Sequence, residues 1–308
     1  MKDPKDMTPE ELRENSSYDP TEKDKLLRMS KSSFVSYMSC PRKYWWEKVE
    51  MKDMRMTATV EMRRGNHVHS TLEAMYDNWE GQSTLAPLIP ADMEDVANEN
   101  LVFLEECRIE MFGLENFMPC EYEEYRAVWD EENQVVLSGL IDAVLVMPDG
   151  SLCIYELKTG NWSSAKMTKT RKELAYYSRM LKLMGETREI THFAYLAPDA
   201  SNLKFIAEMC NWKDADGNWD EDRVLCSKAG WLESNSRKKV CMGKNGVGVL
   251  AIEKVNPRTL TSLNKTLTKC VEGIKNHSWE MKWSDYFCPA WCDFSMSCES
   301  EMNGLDLW

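Results

Sequence analysis

The segment VVLSGLIDAVLVMPDGSLCIYELK, residues 135–158, decides the fold. Two runs rich in Val, Ile and Leu are separated by a Pro-Asp-Gly sequence, residues 148–150, which is typical of a tight turn. Runs of this composition on either side of a turn indicate a β-hairpin. The segment therefore predicts two adjacent strands, at residues 135–147 and 151–158.

Three charged residues of this hairpin are candidates for chemistry. Glu156 and Lys158 are two positions apart, so they project from the same face of a strand, and Asp142 on the partner strand can come opposite them. Paired carboxylates suit Mg²⁺ or Mn²⁺, which prefer oxygen ligands. The alternative is an ordinary cross-strand ion pair. Because the neighbouring residues are apolar, we interpret the strand as buried, where charges need a partner or a metal.

Two predicted helices add further polar pairs. Gly65, His69 and Glu73 share one face of a helix predicted at 59–78, and the imidazole could bind a metal, although a helical histidine is more often structural. In a helix predicted at about 167–184, a carboxylate and a phenol stand one turn apart. These two residues are Glu173 and Tyr177.

Four of the 11 cysteines stand apart from the others by their position. Cys288, Cys292 and Cys298 are close together in the sequence, and Cys40 lies far upstream. Four thiolates can hold a [4Fe–4S] cluster or a zinc ion, and the spacing alone leaves both open, together with the possibility of four unrelated cysteines. We interpret the remaining cysteines as small buried hydrophobic residues. They are Cys107, Cys120, Cys153, Cys210, Cys226, Cys241 and Cys270.

Composition limits the class of protein. The chain has 308 residues, 43% of them hydrophobic, without a long apolar run or a signal-type N-terminus, which predicts a cytoplasmic protein with no membrane association. The net charge of −13 argues against tight non-specific binding of nucleic acid, but local basic groups remain. These groups are Arg42 with Lys43, Arg63 with Arg64, and the segments 166–172 and 237–239.

The other predicted elements complete an α/β pattern. A first helix carries Phe34 and Tyr37 and is capped by Ser32 or Ser33. The remaining helices are expected at 92–112 and 257–277, and the strands at 122–129, 189–197, 203–209 and 249–252. Residues 1–29 are expected to form a flexible tail and residues 211–246 a polar insertion.

The motifs occur in an order that resembles the RecB-family nucleases of the PD-(D/E)XK superfamily. In this chain they are Gly65/His69, Gly139/Asp142, Glu156/Lys158 and Glu173/Tyr177. The last motif usually begins with Gln, whereas here it begins with Glu173. The Cys-Pro-Arg-Lys-Tyr sequence at 40–44 and the three C-terminal cysteines resemble the iron–sulfur branch of that family.

That branch includes the CRISPR-associated Cas-four exonucleases, the AddB nuclease domain and the nuclease part of the Dna-two helicase–nucleases. This chain has three residues, not two, between Cys288 and Cys292, and it lacks the phosphate loop of a helicase. The resemblance is therefore to a stand-alone protein of the Cas-four type.

The resemblance implies a restriction-endonuclease-like α/β fold, a mixed sheet with flanking helices. Residues 30–308 would form one iron–sulfur nuclease domain, with a helical lobe at 30–115, a core at 116–282 and a cysteine segment at 283–300. The implied metal ligands are His69, Asp142, Glu156 and the carbonyl of Leu157. Lys158 would orient the attacking water, with Tyr177 and Glu173 beside it. The implied cluster ligands are Cys40, Cys288, Cys292 and Cys298.

The expected function is that of an exonuclease on single-stranded DNA ends, dependent on Mg²⁺ or Mn²⁺. It would act in repair, replication or CRISPR spacer processing, with protein partners from those processes. We favour a structural over a redox role for the cluster. One alternative is a non-catalytic DNA-binding or assembly subunit that keeps the fold. Another is an RNA-processing enzyme.

Overall fold

The computed structural model describes residues 2–52, 59–89 and 96–304, with side chains described for all of these except residues 96–98. The chain divides into two compact units. The first contains Met1–Met56, Arg126–Gly139 and Leu260–Trp308, and the second contains Thr57–Tyr125 and Leu140–Thr259. This division differs from the expected succession of helical lobe, core and cysteine segment. Within the described ranges, no helix is long and apolar enough to cross a membrane.

The first unit is mostly helical. Its N-terminal elements are α1 (Pro9–Glu14), β1 (Ser16–Ser17), β2 (Leu26–Ser30), α2 (Lys31–Ser39) and α3 (Pro41–Trp45). Helix α2 is capped by Ser30, whose Oγ accepts a hydrogen bond from the Ser33 amide at 3.2 Å, so the cap lies earlier than the predicted Ser32 or Ser33. The Ser30 backbone N–H in turn donates to Ser33 Oγ, and this reciprocal pair of hydrogen bonds favours a helix that begins directly after Ser30.

The N-terminal segment differs from the flexible tail expected at residues 1–29. Helix α1 has a reciprocal cap between Thr8 and Glu11, and strand β2 pairs in parallel with the beginning of the 135–146 strand. Leu12 and Met29 are buried. The segment is polar overall, but these few apolar side chains and the backbone pairing hold it against the unit.

The second unit is built around a mixed sheet. Its helices are α4 (Val60–Asp77), α5 (Val96–Phe112), α6 (Ser164–Leu183), α7 (Leu203–Cys210) and α8 (Glu221–Cys226). Its strands are β5 (Leu152–Leu157), β6 (Ile190–Ala197), β7 (Gly230–Leu232), β8 (Lys238–Met242) and β9 (Val249–Lys254). Strands β3 (Glu121–Asp130) and β4 (Val135–Val146) contribute residues to both units. The chain then continues through α9 (Pro257–Lys275), α10 (Phe287–Trp291) and α11 (Ser295–Met302).

The strand order in the second unit is β4-β5-β6-β9-β8-β7, and the β5–β6 pair is parallel while the other pairs are antiparallel. The expected mixed sheet with flanking helices is therefore confirmed. Successive side chains of β5 point to opposite faces of the sheet. Tyr155 and Leu157 belong to the core formed with α4 and α5, whereas Glu156 projects from the opposite face.

One prediction for the second unit was wrong. The strand predicted at 203–209 is helix α7, whose first turn is capped by Asn202, a hydrogen-bond acceptor for the Phe205 amide at 3.2 Å. Its buried side chains also follow a helical face, so the apolar composition alone misled the prediction. The polar insertion predicted at 211–246 contains helix α8 and strands β7 and β8. Short strands between polar turns carry too little apolar pattern to be recognised.

A fully buried ion pair lies between α5 and β5. Arg108 donates to the Glu105 carboxylate at 2.7 and 2.9 Å and to the backbone carbonyl of Phe117 at 2.9 Å. The Tyr155 hydroxyl also donates to Glu105. None of the three ionisable side chains is exposed. The hydrogen bonds satisfy charges that would otherwise be costly inside the core.

Candidate active site

The register of β4 and β5 brings the hairpin residues together. Ala143 pairs with Tyr155, and the next step of the same register places Asp142 opposite Glu156. The backbone N–H of Leu157 donates to Asp142 Oδ2 at 2.8 Å. Asp142 and Glu156 are both buried, as the apolar sequence around them predicts. The strand geometry thus holds two carboxylates side by side at the edge of the core.

A candidate metal centre is formed by three side chains from different elements. His69 on α4, Glu123 on β3 and Asp142 on β4 offer ligand atoms that all lie within 4.8 Å of one another. His69 Nδ1 is 2.8 Å from Glu123 Oε1, and its Nε2 is 3.9 Å from Asp142 Oδ2. Burial opposes protonation of the ring, but the bond to Glu123 and the charge of Asp142 outweigh it and raise the pKa of His69.

Glu123 is the member of this group that the sequence analysis missed. It lies within β3 with a φ of 45°, a left-handed backbone conformation that is uncommon for a residue other than glycine. The segment EYEEY at 121–125 contains three glutamates, and no motif distinguishes the middle one. Only the position of β3 beside α4 selects it.

The donor set fits a hard divalent cation. The two carboxylates supply the oxygen ligands that Mg²⁺ and Mn²⁺ prefer, the imidazole adds one nitrogen ligand, and their mutual distances allow one ion to reach all three. Glu156 is not part of this close group. Its carboxylate instead accepts a hydrogen bond from Lys158.

Lys158 lies between two carboxylates. Its ammonium group donates to Glu156 and is 3.5 Å from Glu173 Oε2 on α6. Glu156 has no exposed surface, whereas 29% of the Lys158 side chain is exposed. The cation is therefore held on the rim of the site while both of its partners are largely buried. The structure therefore brings Lys158 into contact with Glu156 and close to Glu173.

Tyr177 supports the site from α6. Its hydroxyl donates to the backbone carbonyl of Leu140 on β4, two residues before Asp142. Burial, followed by the charges of Glu156 and Asp142, raises the pKa of this phenol. Tyr177 therefore stays protonated and can donate to Leu140 at any ordinary pH.

The remaining residues of the predicted α4 motif lie nearby with lesser roles. A Cβ on Gly65 would be 3.5 Å from Thr159 Oγ1, an ordinary contact, so the packing of α4 beside the end of β5 does not require a glycine at this position. Glu73 is outside the close group. Burial and the charge of Glu123 raise its pKa.

Two basic side chains stand at the same end of β5. Lys166 donates to the backbone carbonyls of Thr159 and Asn161 at 3.1 and 3.2 Å, and Arg64 lies 3.2 Å from Asp199. Burial and the charge of Lys158 lower the pKa of Lys166. The acidic centre is thus bordered by cations, despite the net negative charge of the chain.

The four clustered cysteines belong to the first unit. Burial raises the pKa of Cys292, and the thiols of Cys288 and Cys40 add to this effect. Burial likewise raises the pKa of Cys298, with contributions from Cys292 and Cys40. Each of the four thiols therefore lies close enough to another of the four to interact with it electrostatically.

Backbone amides and aromatic rings surround these sulfurs. The Lys282 N–H donates to Cys40 Sγ at 3.5 Å, and the Ser284 N–H donates to Cys288 Sγ at 3.3 Å. Cys298 packs in a small core with Trp46 and Phe294. The predicted isolated cysteines are free thiols, and two of them, Cys120 and Cys226, are exposed rather than buried as expected.

Comparisons with known proteins agree with the geometry. A family model described as the PD-(D/E)XK nuclease superfamily matches residues 28–299. No curated protein is significantly similar in sequence. A solved structure titled "Crystal structure of SSO0001" covers 89% of this chain and 86% of its own, with 12% identity and a TM-score of 0.36, which is too low to add to the family match.

Proposed function

The chain belongs to the PD-(D/E)XK nuclease superfamily, and we propose that its second unit is a divalent-metal-dependent nuclease that degrades single-stranded DNA from its ends. The observation that carries this proposal is the convergence of His69, Glu123 and Asp142 within 4.8 Å. The preference for single strands and for ends rests on the motif and cysteine pattern, which resembles the iron–sulfur exonucleases.

The residues have distinct parts in this proposal. His69, Glu123 and Asp142 would hold the metal, with Glu156 and the carbonyl of Leu157 as further ligands. A metal held there lowers the pKa of bound water and offsets charge on the phosphate. Lys158, on the rim, would position the attacking water and the phosphate oxygen. The buried Glu156 keeps that ammonium group in place through its hydrogen bond.

The outer residues would orient the others. Tyr177 fixes the backbone at Leu140 and thereby the position of Asp142. Arg64 and Lys166, at the border of the site, would contact neighbouring phosphates of the substrate, because Lys and Arg neutralise the charge of nucleic acid phosphates. An acidic centre inside a basic border accounts for nucleic acid binding by a chain with a net charge of −13.

Cleavage assays with several substrates test the activity. We expect nucleotide release from linear single-stranded DNA with Mg²⁺ or Mn²⁺, none with EDTA, and much less from end-blocked or circular strands. A matched RNA strand should be cleaved more slowly. Cleavage of circular strands at the linear rate would contradict the exonuclease assignment, and an activity indifferent to EDTA would contradict the metal centre.

Glu173 stands where the related motif has Gln, and its replacement tests the role of its charge. Glu173→Gln should keep cleavage within about tenfold of the wild-type rate, because an amide oxygen can still accept from Lys158. Initial rates at saturating Mg²⁺, compared with those of the wild-type protein, measure this effect. Loss of all activity would instead give Glu173 a direct part as a metal ligand.

We also propose that Cys40, Cys288, Cys292 and Cys298 hold a [4Fe–4S] cluster with a structural role. Amide N–H groups aimed at Cys40 and Cys288 would stabilise thiolates bound to iron. The sequence separation of Cys40 from the other three suits a clamp between distant parts of the first unit. Zinc remains the competing occupant, because it also takes four thiolates.

A further inference from the structure

A basic cavity lies in the second unit, apart from the proposed metal ligands. It has a volume of about 240 Å³. The lining residues are Arg171, Phe193, Arg237, Lys238, Glu253, Lys254, Asn256 and Thr259. Four of these side chains are cationic and only one is a carboxylate. The basic segment 237–239 noted in the sequence supplies two of the cations.

The single carboxylate of the cavity is already compensated. Arg171 donates to Glu253 through two nitrogens, one of them at 2.9 Å, and the Tyr195 hydroxyl donates to it at 2.6 Å. Among the described residues, Arg171–Glu253 is the ion pair that involves a cation of this cavity. The cavity therefore carries an excess of positive charge that an anion would offset.

Lys238 is the least exposed of the three lining cations other than Arg171. Its ammonium group is 3.6 Å from the Met209 sulfur, a weak acceptor. Burial of this group lowers its pKa, and the charge of Arg171 adds to that effect, whereas the charges of Glu253 and Glu208 act against it without reversing it. A partly buried ammonium beside a guanidinium is costly unless an anion is bound.

The cavity and the proposed active site share one face of the sheet. Tyr195 pairs with Glu156 on β5, and Phe193, two residues earlier on β6, pairs with Glu253 on β9. Side chains two residues apart project from the same face. Strand spacings of about 4.8 Å and a rise of about 3.3 Å per residue put the Cα atoms of Glu156 and Glu253 roughly 12 Å apart.

We propose that this cavity is a second anion site that binds a phosphate group remote from the one being cleaved. Arg237, Lys238 and Lys254 would supply the charge, and the polar side chains of Asn256 and Thr259 would supply hydrogen-bond partners. A nucleic acid strand and a free phosphate compound offer the same group. We expect the phosphate group to belong to a nucleic acid strand, because the proposed function is that of a nuclease. The inference rests on the proposed function only for this identity of the ligand.

A pair of double variants with equal charge change tests the site. Arg237→Ala with Lys254→Ala removes two lining cations, whereas Lys239→Ala with Lys204→Ala removes two exposed lysines that do not line the cavity. Binding of a fluorescent single-stranded oligonucleotide, and separately of inorganic pyrophosphate, is measured in EDTA over a range of salt concentrations. EDTA prevents cleavage, so the result does not depend on nuclease activity.

We expect the lining pair to weaken oligonucleotide binding about tenfold and to lower the slope of log affinity against log salt by about 0.7, the contribution of one phosphate neutralised on a single strand. The control pair should leave that slope unchanged. A selective loss for either probe supports the site, and the affected probe identifies the source. Equal affinities and slopes in both pairs, for both probes, would overturn it. A selective loss in a protein that never cleaves DNA would leave the site standing and refute only the nuclease.

Discussion

Asp142→Asn is expected to reduce metal-dependent cleavage by about a thousandfold or more, equivalent to about 4 kcal/mol of transition-state stabilisation. The neutral amide removes one negative charge from the group that would hold the metal. Its oxygen can still accept the hydrogen bond from the Leu157 N–H, so the hairpin should fold unchanged. Initial rates at saturating Mg²⁺, with circular dichroism and melting temperature, measure activity and folding separately.

A matched control lies in the same hairpin. Asp149 is an exposed turn residue whose carboxylate accepts from Ser151, well away from the carboxylate pair. Asp149→Asn makes the same chemical change and should leave the rate within about twofold of wild type. A wild-type rate in the Asp142→Asn protein would sink the assignment of this centre. A loss in both variants would point to the hairpin rather than to the metal.

Cys40→Ala is expected to lower the melting temperature by about 10 °C and to remove most of the bound iron. Cys40 is the only proposed ligand upstream, so its loss opens a loop of more than 240 residues to Cys288. Closing so long a loop is worth about 5 kcal/mol in the chain-entropy account, and the cluster binds only the assembled unit. In a domain of this size, 1 kcal/mol corresponds to about 2–4 °C.

Cys226→Ala provides the comparison, because Cys226 is an exposed free thiol. Its melting temperature, iron content and absorbance near about 400 nm should equal those of the wild type, which we expect to be brown when purified without oxygen. Equal, mild effects of the two substitutions would mean that Cys40 is not a ligand. A colourless wild-type protein that contains stoichiometric zinc would mean that the four cysteines bind zinc and not an iron–sulfur cluster.

The hairpin and the long helices were predictable because their signals are local. The Val- and Ile-rich runs around the 148–150 turn define β4 and β5, and the spacing of Glu156 and Lys158 follows from the period of a strand. Helix α4 was recognised from the helical spacing of its apolar residues. In each case, a window of about 20 residues contains enough information.

Other features depend on contacts that no local window contains. Glu123 became part of the candidate metal centre only because β3 lies beside α4, and its neighbours in the sequence are also glutamates. In the N-terminal segment, Leu12 and Met29 are buried, which the polar sequence around them does not indicate. Helix α7 was mistaken for a strand because a short apolar run fits both periods.

The buried Glu105–Arg108–Tyr155 group has a consequence for mutational tolerance. If β5 slipped by one residue against its neighbours, every side chain would change faces, so Tyr155 would leave Glu105 and Arg108 while Glu156 would point into the apolar core. Such a slip would remove the hydrogen bond from Tyr155 to the buried Glu105–Arg108 pair. This loss makes the shifted register less stable. The group thus favours the observed register of β5, the strand that carries Glu156. Substitutions at Tyr155, whose side chain lies in the core on the face opposite Glu156, should therefore be selected against as strictly as those in the candidate metal centre.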